Sequence, residues 1–140
     1  MTRNAIVAIF ERRRIAFDNQ DAGALAADYT VDCVIDSPSG GVHHGRAAAE
    51  QVLRSVLDAL DVKMHQDALL IDGDSVAQIL TIEGTDDGQF LGLPPTGKSF
   101  RVPAVFLYDL KDGQIAHERR IYDFTGVLMQ VGLLKARPAV

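Results

Sequence analysis

The chain has no tryptophan, a single cysteine and no apolar run long enough to span a membrane. One thiol, Cys33, cannot close an internal disulfide, and in its strand-like setting it reads as a small core residue, a nucleophile being the less common alternative. The apolar stretch Ala5 to Phe10 is closed at once by Glu11-Arg12-Arg13-Arg14, too short and wrongly flanked for a signal sequence, so a cytoplasmic protein is expected. Basic residues are in the minority: 14 Lys and Arg against 19 Asp and Glu leave a net charge of −5, which argues against a nucleic-acid or anionic-membrane surface. The only basic run, Arg12 to Arg14, reads as the solvated side of a helix. Repeats, a P-loop, a nucleotide-binding glycine fingerprint and a nucleophile elbow are all missing. So is a metal motif, because adjacent His43 and His44 diverge and no Cys or carboxylate stands at ligand spacing; one histidine is expected at the surface, the other in a pocket.

What remains, 140 residues with 47% apolar and 24% charged, describes one ordinary globular domain over residues 1–140, with disorder expected only from Lys135 to Val140. Its most legible stretch runs from Gly92 to Gly126. Phe100, Val102, Ala104, Phe106, Tyr108 and Leu110 alternate as the buried face of a strand. Asp112-Gly113 suits a tight reversal, and Ile115 opens a second strand, so the two form an antiparallel hairpin. On strict alternation Ile115, His117, Arg119, Ile121 and Asp123 share a face, too ionisable for a plain core.

Upstream, Ile6, Ile9, Phe10, Arg13, Ala16 and Phe17 recur at helical spacing over Thr2 to Asn19. Asp21 caps a short helix, Ala22 to Asp28, whose Tyr29 is a core-edge or pocket-wall residue. A strand from Val31 to Ser37 stops at Ser37-Pro-Ser-Gly-Gly, and Arg46 to Leu60 makes a third helix. Strands are expected at Val62 to Ile71 and Val76 to Glu83, joined at Asp72-Gly73-Asp74, followed by a long loop from Gly84 to Gly97. Glu83 is a solvent-facing strand end or a pocket acid. Val127, Leu128, Val131 and Leu134 mark a closing helix, at whose start Asp123 is either the N-cap or a reactive carboxylate.

This order describes an α+β protein whose curved antiparallel sheet wraps around the N-terminal helices. The segments Asn19-Gln-Asp-Ala-Gly-Ala-Leu-Ala-Ala-Asp-Tyr29, Gly45-Arg46, Gly92-Leu-Pro-Pro-Thr-Gly-Lys98, Asp112-Gly-Gln-Ile115 and Asp123 with Gln130-Val-Gly-Leu133 resemble the SnoaL-like family of the nuclear transport factor 2-like superfamily, in its order and over nearly the whole chain. The resemblance implies a conical, cystatin-like fold, usually homodimeric, with a pocket inside the sheet and neither metal nor organic cofactor. It further implies that Asp123 matches the general base of the cyclases, removing a proton beside a carbonyl so that the enolate closes a ring. His117 or Arg119 is the expected enolate donor, its alternative being a rim salt bridge with Glu118 or Asp109. Phe17, Tyr29, His43, Glu83, Phe106 and Tyr108 complete the expected small-molecule pocket. Arg119 and Arg120 stand where many relatives are aromatic, which favours a smaller or anionic substrate over a flat aromatic one; the epoxide-hydrolase relatives' Arg and Asp are here Thr81 and Glu83, which ranks that chemistry lower. A non-catalytic ligand carrier is the rival reading.

Overall fold

The computed structural model describes residues 1–88 and 90–135; Gln89 and residues 136–140, the greater part of the tail expected to be disordered, lie outside the described residues. In chain order the elements are α1 (Arg3–Asp18), α2 (Ala22–Ala26), β1 (Tyr29–Ser37), β2 (Gly41–His44), α3 (Arg46–Leu60), β3 (Lys63–Asp72), β4 (Ser75–Thr85), β5 (Ser99–Lys111), β6 (Gln114–Tyr122) and α4 (Phe124–Gln130). The fold is α+β, built on one open sheet in the order β2-β1-β6-β5-β4-β3. β1 runs parallel to β6, so the sheet is mixed where a purely antiparallel one was expected. A chain that returns through α3 and a long meander before it pairs with its own first strand is free to do so in either sense.

Local chemistry explains most boundaries. Thr2 and Asp21 cap α1 and α2 by accepting from Ala5 N and Ala24 N. Asp112 and Gly113 both take positive φ, 50° and 80°, the pair that a two-residue hairpin turn demands. The alternating set of β5 is buried from Phe100 to Leu110 and packs with Ile6, Phe10, Leu53, Leu57, Leu80 and Ile82 in one core. β2 went unforeseen: four residues are too short for a period, and it forms only because Val34 to Ser37 offer it an edge. Among the described residues no helix is long and apolar enough to cross a membrane.

Candidate active site

The polarity of β6 decides what reaches the interior. β5 and β6 pair Asp109 with His117 but Leu110 with Ile115, so Ala116 is an extra residue and the strand carries a bulge. Ile115 faces the core on one side of it, and beyond it the inward set becomes Glu118, Arg120 and Tyr122, opposite Tyr108, Phe106 and Ala104. His117, Arg119 and Ile121 are thereby turned to the outer face, contrary to the alternation expected from Ile115 onward. There His117 Nδ1 lies 3.7 Å from Asp109 Oδ2, the rim pair that was its alternative reading.

A buried polar network joins α1, β1 and β6. Arg13, read as solvated, is 3% exposed; its Nη1 donates to Leu25 O at 3.0 Å and its Nη2 to Tyr29 Oη at 3.0 Å. Tyr29 in turn donates to Glu118 Oε1 at 2.8 Å, and Arg120 Nε donates to Glu118 Oε2 at 2.7 Å. Burial works against the charge on Glu118, but attraction to Arg120 and Arg13 and the hydrogen bonds from Tyr29 and Arg120 outweigh it, holding this carboxyl below its usual range. Burial pushes the Tyr29 and Tyr108 hydroxyls up, so both stay neutral donors. Burial also opposes the charge of Arg120, and attraction to Glu118 more than restores it.

Arg120 carries this network to the wall of a cavity of about 90 Å³ between the sheet, α3 and α4. The cavity is mostly apolar, walled by Val56, Leu60, Ile82, Phe100, Phe106 and Val127, with polar groups confined to Ser37, Ser39, His43, Arg120 and Tyr122. Tyr122 Oη donates to Ser39 Oγ at 3.0 Å, and Ser39 Oγ lies 3.2 Å from Ser37 Oγ, a chain of hydroxyls. His43 stands at the boundary, lining also an outer groove of about 460 Å³ that it shares with Val52 and Phe90. Its ring fits because Gly40 lacks a side chain: a Cβ there would lie 2.8 Å from His43 Nε2. Among the described residues His43 makes no side-chain hydrogen bond, and Arg120 makes one, through Nε.

The remaining expected site residues divide. Phe106 lines the cavity and holds the Arg120 guanidinium 5.6 Å above its ring. Tyr29 and Tyr108 are buried outside the cavity lining, Tyr29 in the ion network and Tyr108 edge-on to Phe10 at 4.9 Å with its hydroxyl donating to Gln78. Phe17 lines a separate depression beside Arg14 and Met64. Glu83 is on the outer face, paired with Arg101 and with His65 at 3.2 Å. The Asp123 carboxylate is exposed and accepts from Gly126 N at 2.8 Å, capping α4 outside the cavity lining. Of the nine expected residues the cavity thus gathers His43 and Phe106, and it adds Arg120 and Tyr122, which alternation on β6 in the wrong phase had concealed, together with Ser37 and Ser39 from the end of β1 and the turn after it. Among the described residues no cluster of ligating side chains could hold a metal ion.

Comparison with known proteins agrees with this architecture. A family model described as SnoaL-like polyketide cyclase matches residues 8–131. Nogalonic acid methyl ester cyclase of Streptomyces nogalater is 31% identical over 94 residues, which are 66% of this chain and 70% of that protein. Among solved structures, TsrD from Streptomyces laurentii superposes with a TM-score of 0.84 at 23% identity, covering 96% of this chain and 99% of its own. A protein with a ketosteroid isomerase-like fold from Catenulispora acidiphila, solved in complex with trimethylamine, gives 0.75 at 19% identity, covering 94% and 95%. The structural likenesses establish the fold, and the sequence match over most of the chain establishes more: this protein belongs to the SnoaL-like polyketide cyclase family.

Proposed function

We propose that this protein is a cyclase- or isomerase-type enzyme that removes a proton from the carbon beside a carbonyl of a small molecule held in the cavity, with His43 as the base. The observation that carries this reading is the imidazole of His43, half-buried where the apolar cavity meets the outer groove and without a side-chain hydrogen bond among the described residues. An imidazole is the side chain best matched to give and take a proton near neutral pH. The hydroxyls of Tyr122, Ser39 and Ser37 supply donors for the carbonyl oxygen as it gains charge. The carbanion electrons then form the new C–C bond to a second carbonyl of the same molecule, whose oxygen becomes an alkoxide and takes the proton from the imidazolium. For isomerisation the same proton returns to a different carbon. The S. nogalater relative is named as a cyclase of a methyl ester. Ring closure is what the proposal carries over, its substrate being left to that protein.

A ligand carrier would hold the molecule without exchanging its protons. The test is deuterium uptake: in D2O the protein should accelerate exchange of the protons flanking the ketone of 4-oxopentanoate or its methyl ester, followed by NMR. Exchange at the solution rate for both compounds speaks for the carrier.

The partner we propose beside the substrate is a second copy. The outer face of the sheet leaves Leu107 and Ile121 exposed on the adjacent strands β5 and β6 and Leu70 exposed across β4 on the edge strand β3, with His117 and Arg119 beside them. An apolar face spread over the sheet in this way is better covered than wet. Sedimentation should report a dimer that Leu107→Glu converts to monomer without unfolding; a wild-type monomer contradicts it.

A further inference from the structure

Arg120 has more hydrogen-bonding capacity than the protein uses. A guanidinium carries five N–H groups in a planar fork, and among the described residues only Nε is engaged, by Glu118. One face of the plane lies over Phe106, so a partner for the terminal nitrogens comes from the cavity that Arg120 lines. The charges beneath are uneven as well. Arg13 and Arg120, 3% and 9% exposed, flank one fully buried carboxylate, Glu118, at 3.9 and 2.7 Å. Asp28, 11% exposed, offsets part of the Arg13 charge at 3.5 Å but is shared with Arg12. A buried guanidinium that lines an apolar cavity with its terminal nitrogens unengaged by the described residues is completed by a planar anion that accepts two parallel hydrogen bonds.

We propose that the terminal nitrogens of Arg120 form a carboxylate subsite, so that the ligand of this cavity is a keto acid rather than its neutral ester. The proposal rests on the reaction assigned to the cavity and names its substrate class. Glu118, Tyr29 and Arg13 are positioning residues: Glu118 fixes the guanidinium through Nε and leaves the outer edge of the fork to the ligand. A free acid and its methyl ester share shape and apolar contacts, so the difference between them reports the charged hydrogen bonds alone.

The test is ligand-observed NMR titration of the full chain with 4-oxopentanoate and methyl 4-oxopentanoate. The wild type should bind the acid at least about tenfold more tightly than the ester, the low end for hydrogen bonds to a charged group. Arg120→Met should bring the ratio of the two affinities near one, and Arg120→Lys, which keeps charge without the fork, should fall between. Equal affinities in the wild type overturn the proposal even if the variants fail to fold, as does an acid preference that survives Arg120→Met. Acid binding without deuterium exchange removes the His43 chemistry and leaves the subsite standing; exchange without acid preference does the reverse.

Discussion

Glu118→Gln should be the most destabilising conservative change in the chain, lowering the unfolding free energy by about 3–5 kcal/mol. The substitution keeps the shape and removes the one charge that Arg13 and Arg120 share, leaving two cations away from water with Asp28 as their remaining counter-charge. In a domain of this size such a loss lowers the melting temperature by roughly 10–15 °C. Arg119→Ala, one residue away but exposed on the outer face, should move it by no more than about 2 °C. Calorimetry on the two variants checks the phase of β6 directly, because the opposite phase would reverse the pair. The same network sets the pH limits of the fold. The carboxyl of Glu118 is held below its usual range, so its contribution is complete above about pH 4.3, the unfolded value, and is lost as pH falls through the folded one. Tyr29 and Tyr108 are raised, so theirs is complete below about pH 10 and is lost as pH rises through their folded values. The buried Cys33 thiol is raised as well, so a plot of melting temperature against pH should be flat from about pH 4.3 to about pH 8.5 and fall beyond it, and Glu118→Gln should lower the plateau and soften its acid edge.

The second large effect belongs to His43. His43→Gln keeps a polar side chain of similar reach and removes basicity, so deuterium uptake at the ketone-flanking carbon should fall by about 10²–10⁴-fold with ligand affinity little changed. A fall in affinity with an unchanged rate would make His43 a wall residue. Gly40→Ala offers an orthogonal check, since its Cβ would meet the ring at 2.8 Å and push the imidazole aside. It should lower the rate without removing the base.

Elements that rest on local chemistry were readable before any coordinates. The boundaries of α3, the caps at Asp21 and Asp123, the buried face of β5 and the turn at Asp112-Gly113 follow from spacing and backbone preference alone. The site was less legible because it depends on contacts between distant residues. One extra residue, Ala116, reverses the phase of β6, and nothing in the types Ala-His-Glu-Arg-Arg marks a bulge. With the phase reversed, Glu118 and Arg120 pass from rim to interior and His117 and Arg119 from interior to rim. Arg13 shows the same dependence. Its place on the apolar stripe of α1 was visible, but a buried guanidinium is plausible only once a carboxylate more than a hundred residues away is known to meet it. A clue was present in the stripe itself, since an arginine at a core-facing helical position calls for a buried acid. Asp123 had two readings from the start, cap and base, and the structure shows the geometry of the first.

The measurement that tests the account most directly sets that carboxylate against the histidine. Wild type, His43→Gln and Asp123→Asn are compared for deuterium uptake by 4-oxopentanoate and its ester, with melting temperatures alongside. The account predicts that Asp123→Asn, which keeps a capping oxygen for Gly126 N, changes stability by no more than about 0.5 kcal/mol and keeps the wild-type rate, while His43→Gln keeps its stability and loses the rate. If the rate vanishes with Asp123→Asn and survives His43→Gln, the reactive base lies at the head of α4, and the assignment of the chemistry to His43 is wrong.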